Sequence, residues 1–196
     1  MRPFAPALVA AALAASAAAA QDGPSFDCAR AEGSAQELVC ADAALAALDR
    51  RLADRYAAAL AVAKGLDAGA DEAAAGLRAE QRGWIKGRDD CWKADDLRAC
   101  VEDAYTRRIG LLTAAWMLDP PGETVFYQCG DSPADELAVI PFPGDPAAVR
   151  LERGDRVEPA VHVRAASGAR YDGEFGVMFW SKGDEATLDW PPEAQG

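Results

Sequence analysis

The chain holds little of what covalent chemistry requires. Its single histidine, His162, stands inside Val161-His162-Val163, and a lone histidine in an extended stretch reads as a surface or edge residue rather than a general base. No G-x-S-x-G elbow, glycine-rich phosphate loop or H-E-x-x-H helix occurs. The acidic pairs Asp89-Asp90, Asp95-Asp96 and Asp184-Glu185 fall at expected helix ends and turns, which capping and solvation explain. Cys129 has no histidine in its pattern to activate it, and the absence of any C-x-x-C pair argues against zinc. These residues therefore suggest no enzyme, no cofactor and no metal site. What remains is the stretch SGARYDGEFGVMFWSKGDEA, running from Ser167 to Ala186 and holding one lysine, Lys182. A hydroxyl can donate or accept a hydrogen bond and an ammonium can pair with a carboxylate. Taken alone, however, Ser167-Gly168 and Lys182-Gly183 read as ordinary turns.

Charge narrows the choice of partner. Twenty Lys+Arg stand against 32 Asp+Glu, a formal net charge of -12. Such a chain repels nucleic acid and anionic lipid, and it suits a basic partner or simply stays soluble. The N-terminus, MRPFAPALVAAALAASAAAAQDG, combines Arg2, a short Ala-rich apolar run and a small-residue site at Ala18-Ala19-Ala20. It reads as a secretory signal peptide over residues 1–20, with the mature chain starting near Gln21. The apolar run is too short to span a membrane, and no cysteine near the cleavage point marks a lipid anchor. A soluble periplasmic protein is expected. In that oxidising compartment Cys28, Cys40, Cys91 and Cys100 read as two disulfides. Three pairings are open; Cys28–Cys40 and Cys91–Cys100 are favoured because each brackets a short turn. Cys129 is left over.

Two hydrophobic periods divide the mature chain. Over residues 34–118 the period is helical. Leu45, Leu48, Leu52, Tyr56 and Leu60 share one face behind an Asp42 cap. Leu77, Gln81, Trp84, Ile85, Arg88 and Trp92 share a second, and Leu97, Val101, Tyr105, Ile109, Leu112 and Trp116 a third. Gln81, Trp84 and Arg88 read first as polar locks within the bundle. Asp119-Pro120-Pro121-Gly122 ends the helices, and beyond it the period falls to two. Strands are expected at residues 124–129, 136–142, 147–152, 158–163, 174–180 and 185–189, spacing that indicates a sandwich or small barrel. The expected fold class is α+β by separate domains: a disulfide-pinned helical bundle at 21–119, a small antiparallel β-barrel at 120–190, and a flexible tail at 191–196.

Two resemblances sharpen this outline. Phe26-Asp27-Cys28, the Leu45–Leu52 pattern, the run Gln81-Arg82-Gly83-Trp84-Ile85-Lys86-Gly87-Arg88-Asp89-Asp90-Cys91 and the four cysteines resemble the LprI-type lysozyme inhibitors over about residues 25–113. Ser167-Gly168-Ala169-Arg170-Tyr171 and Trp180-Ser181-Lys182-Gly183-Asp184-Glu185-Ala186, with Phe126-Tyr127-Gln128-Cys129 upstream, resemble the MliC family, periplasmic inhibitors of c-type lysozyme. The second resemblance implies a small antiparallel β-barrel whose inhibitory serine and lysine fall on Ser167 and Lys182. Gly168, Gly183, Arg170 and Tyr171 complete the implied lysozyme-binding set. It also implies a cysteine near the C-terminus to pair with Cys129, and this chain has none there. The function expected is stoichiometric occlusion of a c-type lysozyme cleft. The alternative is an envelope module that binds another protein or a glycan.

Overall fold

The computed structural model describes residues 23–132 and 134–191. The expected signal peptide, the expected start at Gln21 and residues 192–196 of the expected tail lie outside them. Four helices come first: α1 (Ser34–Ala41), α2 (Ala43–Lys64), α3 (Ala70–Asp89) and α4 (Leu97–Trp116). Seven strands follow: β1 (Val125–Gln128), β2 (Glu136–Phe142), β3 (Ala148–Arg153), β4 (Arg156–Val163), β5 (Ala169–Asp172), β6 (Met178–Lys182) and β7 (Glu185–Asp189). Each strand pairs antiparallel with the next in chain order. The sheet curls into a nearly closed up-and-down barrel, with β1 and β7 facing each other across a cleft.

The helix starts follow from local chemistry. The Asp42 carboxylate accepts from the N–H groups of Ala44 and Leu45, capping α2. Asp96 accepts from Ala99 and caps α4 in the same way. Asp42 itself is extended (ψ 112°), which separates α1 from α2 at the expected cap. Both favoured disulfides form, Cys28–Cys40 and Cys91–Cys100. Cys129 is consequently free of the helical cysteines; it lies half-buried against the barrel core.

The bundle core is built from Val39, Leu45, Leu52, Leu77, Val101, Tyr105, Ile109 and Leu112. Ile85 and Trp92, expected on the inner face of the second helix, are exposed instead. Trp92 lies beyond α3 in a short 3-10 turn, where the α-helical register no longer holds. The barrel interior is filled by Leu137, Val139, Val149, Leu151, Ala160, Val177 and Phe179.

Helix α4 joins the two halves by burying a second face. Leu111 and Ala114 pack on Phe142, Ala148 and Val161, which lie on the outer surface of β2, β3 and β4. Because both faces of these strands are covered, consecutive residues such as Ala148 and Val149 are both buried. Gly110 permits this close approach, since a Cβ there would sit 2.8 Å from Val161 Cγ2 and 2.9 Å from Pro146 Cγ. The Arg150 guanidinium donates to the Ala115 carbonyl across the same junction.

Two carboxylates couple the fold to pH. The Leu45 N–H and the Arg98 guanidinium hold Asp42 below the ordinary carboxylate range. Arg153 does the same to Asp135 through two hydrogen bonds of 2.7 Å. A group whose pKa is lower folded than unfolded stabilises the native state above its unfolded value, and that stabilisation fades as pH falls through the folded one. Thermal unfolding should therefore be level from pH 7 to 5 and shift to lower temperature below about pH 4. A midpoint that rises below pH 4 would contradict this assignment.

Candidate functional site

The two loops singled out in the sequence meet at one end of the barrel. Ser167 and Gly168 end the loop between β4 and β5, and Lys182 ends β6. Gly183, with φ +60°, then begins the two-residue turn into β7. Register brings the loops together: Ala169 faces Ser181 across β5 and β6, and Arg170 faces Trp180. Gly168 has φ +70°, and a Cβ on it would lie 2.3 Å from the Ser181 carbonyl oxygen and 3.2 Å from Lys182 Cβ. Only glycine fits there, in conformation and in space. The Trp180 indole N–H donates to the Ser167 carbonyl at 2.8 Å, tying one loop to the strand that carries the other.

The resulting tip is chemically open. Ser167 and Lys182 are exposed. Among the described residues, neither the hydroxyl nor the ammonium has a hydrogen-bond or ion-pair partner. Arg170 donates to Asp172 at 2.8 Å, so its charge is already neutralised. Tyr171 is half-buried and packs into the barrel core, its ring 5.5 Å from His162 and 6.2 Å from Phe179. Burial raises its hydroxyl above the ordinary tyrosine value. The six residues of the implied set therefore divide: Ser167 and Lys182 are presented, Gly168 and Gly183 shape the backbone, Arg170 is paired and Tyr171 supports from within.

The helical motif forms a separate, inward-facing network. Arg88 is only 5% exposed. Its guanidinium donates to the Tyr105 hydroxyl at 2.6 Å and to Asp89 at 2.6 Å, and it lies among the rings of Phe26, Trp84 and Tyr105. Tyr105 donates onward to buried Asp49 at 2.8 Å, and Asp49 also accepts from the Ser25 N–H. Burial, reinforced by Asp49 and opposed by Arg88, pushes the Tyr105 hydroxyl up, so it stays protonated as the bridge. Desolvation works against the Arg88 charge, but the Tyr105 and Asp89 oxygens outweigh it and raise its pKa. Gln81, read beside Arg88 as a lock, accepts instead from Arg108. Tyr105→Phe leaves both neighbours one partner short, which should cost about 1–3 kcal/mol. A lower melting midpoint by circular dichroism is expected; an unchanged midpoint would show the bridge to be dispensable.

Spacing did not disclose a groove beside Ser167. Arg164, Ala165, Ala166 and Ser167 form one wall, with Met178, Trp180, Arg170 and Thr187 below. The alternating pattern that sends Phe179 inward places Trp180 and Met178 outward. That alternation is a signal in the sequence, but it identifies a surface only once the strand order is known. No group of three or more metal-binding side chains lies among the described residues, and no helix there is long and apolar enough to cross a membrane.

A disulfide-pinned bundle carrying a small barrel, whose tip presents a serine and a lysine that have no partner among the described residues, has the form of a proteinaceous inhibitor. Both halves match such families. Residues 28–118 match the family described as lysozyme inhibitor LprI, and residues 127–195 match the membrane-bound lysozyme-inhibitor of c-type lysozyme, MliC. The chain belongs to the LprI family. It is 33% identical over 169 residues to the LprI lipoproteins of Mycobacterium tuberculosis and Mycobacterium bovis, covering 86% of this chain and 80% of theirs. No solved structure matches it.

Proposed function

We propose that this protein inhibits a c-type lysozyme by inserting the Ser167 and Lys182 loops into the enzyme's active-site cleft. The observation that carries the reading is the exposed pair of side chains, without partners among the described residues, on two interlocked loops of a barrel that matches the MliC family. Lysozyme works with two carboxyl groups, one held protonated as acid and the other ionised. The Lys182 ammonium is suited to the ionised carboxylate through a charge-assisted contact. The Ser167 hydroxyl, able to donate or accept, is suited to the protonated one. Rigid loops reduce the ordering cost of binding. Gly168 and the Trp180–Ser167 hydrogen bond supply that rigidity here.

The acidic body has a separate role. A net charge of -12 steers encounter with a basic enzyme, and salt screens the attraction. The Ala-rich leader and the two disulfides support secretion into the periplasm. The boundary proposed at Asp119-Pro120-Pro121-Gly122 separates two parts with different tasks: the bundle braces the barrel through α4, and the barrel tip engages the enzyme.

Competition tests cleft occlusion. A chito-oligosaccharide that fills the lysozyme cleft should raise the apparent Kd of the inhibitor linearly with its concentration, by the factor expected from its own dissociation constant. Association should also slow several-fold between low and physiological salt. Binding indifferent to the saccharide would place the contact elsewhere on the enzyme. Retention on peptidoglycan with no affinity for lysozyme would favour the envelope-module alternative.

A further inference from the structure

A second cation without a partner among the described residues lies beside the tip, at the edge of a groove. Arg164 opens the loop between β4 and β5 and is exposed. Among the described residues its guanidinium has no hydrogen-bond or ion-pair partner. The groove it lines has a volume of about 490 Å³ and a floor of Met178 and Trp180. Arg170 borders the same groove, but Asp172 already neutralises it. Thus Ser167 is flanked by two unneutralised cations: Lys182 across the Gly168 contact and Arg164 along the groove wall.

The outer surface of the barrel explains why this groove is open. Helix α4 covers the outer face of β2, β3 and β4 through Phe142, Ala148 and Val161. On β5, β6 and β7 no described helix covers the equivalent face, where Arg170, Trp180 and Thr187 form one row across the strands. An exposed arginine beside a half-buried tryptophan is the composition found at interface anchors, where the planar guanidinium grips a carboxylate with two parallel hydrogen bonds.

We infer that Arg164 and the Met178–Trp180 groove form a second lysozyme-contacting subsite, which receives a carboxylate-bearing segment from the rim of the enzyme's cleft while Lys182 enters the cleft itself. The inference rests on the inhibitor reading above. Its occupant is that same enzyme, because the groove shares Ser167 with the tip and is continuous with it. The neighbouring charges set the specificity. Among the described residues Arg164 supplies the only unneutralised cation of the groove, so a basic or neutral segment gains nothing from it, whereas an acidic one gains a two-point contact.

Binding of the full mature chain to a purified c-type lysozyme, followed by surface plasmon resonance, tests this with Arg164→Ala, Arg164→Lys and Arg164→Glu. Arg164 is exposed and has no partner among the described residues, so each variant should keep the unaltered circular dichroism spectrum and melting midpoint. Arg164→Ala should raise Kd by about tenfold, mainly through faster dissociation, and Arg164→Glu by more. Arg164→Lys should recover only part of the loss, because an ammonium cannot make the two-point contact. If Arg164→Glu binds like the unaltered protein while Lys182→Glu does not bind, the groove subsite is wrong and the plug stands. If the unaltered protein fails to bind lysozyme, the plug and the subsite both fall.

Discussion

Lys182→Glu raises the inhibitory Kd for a c-type lysozyme by about 100- to 1000-fold, while the fold stays intact; this is the largest functional effect expected of any single change. The lysine ends β6 with an exposed ammonium that has no partner among the described residues, so its replacement breaks nothing inside the protein. Most of the cost falls on the complex; within the protein the new glutamate would face Glu185 across the β6–β7 hairpin, an exposed like-charge pair with a small local penalty. In the proposed complex, removing the charge would strand a lysozyme carboxylate in a desolvated cleft, and reversing it would add repulsion at short range. Lys182→Met separates these contributions, because it keeps an aliphatic stem without either charge. Its affinity should fall between that of the unaltered protein and that of Lys182→Glu. Calorimetric titration against the enzyme reads all three, and equal affinity of the unaltered protein and Lys182→Glu would remove the lysine from the interface.

Gly168→Ala should impair inhibition without removing any polar group. At φ +70° an alanine costs about 1–2 kcal/mol in conformation alone. Its Cβ would also lie 2.3 Å from the Ser181 carbonyl oxygen, a distance no neighbour tolerates. The loop must withdraw, and the Trp180–Ser167 hydrogen bond is lost with it. We expect a loss of inhibition of about 10- to 100-fold, because misplacing a preorganised contact converts rigid binding into binding that must first order the loop. The melting midpoint should fall by a few degrees, about 2–4 °C per kcal/mol at this chain length. Gly183→Ala is the informative comparison. That glycine also has positive φ, but open space surrounds the position of a Cβ. Its effect should be the smaller of the two; the opposite order would show that loop contact does not organise the tip.

The helical half was legible because its local chemistry and its packing agree. Leu45, Leu52, Val101, Tyr105, Ile109 and Leu112 keep helical spacing and are buried. Asp42 and Asp96 are caps at the expected places, and each pair of cysteines encloses a short connection. What the sequence concealed was the second buried face of α4. Leu111 and Ala114 lie in a run so uniformly apolar that periodicity cannot separate two covered faces from one.

The strands were less legible. Six were expected and seven form among the described residues. Ala169–Asp172, which falls in none of the expected strands, is a four-residue strand with only Tyr171 packed into the core, too short for alternation to show. The stretch from Glu174, read as the start of a strand, begins as a hairpin turn. Phe175 has φ +52° and is 93% exposed, and pairing resumes only at Met178. Ser167 and Lys182 could be singled out through the family motif alone, since spacing left them as two unrelated turns. The approach of their loops depends on the pairing of Ala169 with Ser181, a tertiary register that no local pattern encodes. The Arg164 groove was hidden for the same reason, because its floor and walls come from three strands and a loop.

The most direct test of the central claim is the rate of bacterial cell-wall lysis by a purified c-type lysozyme titrated with the mature protein. The account predicts a linear fall in rate to near zero at one inhibitor per enzyme, as for a tight plug with no turnover. A lysis rate unchanged at large molar excess of the protein would contradict it.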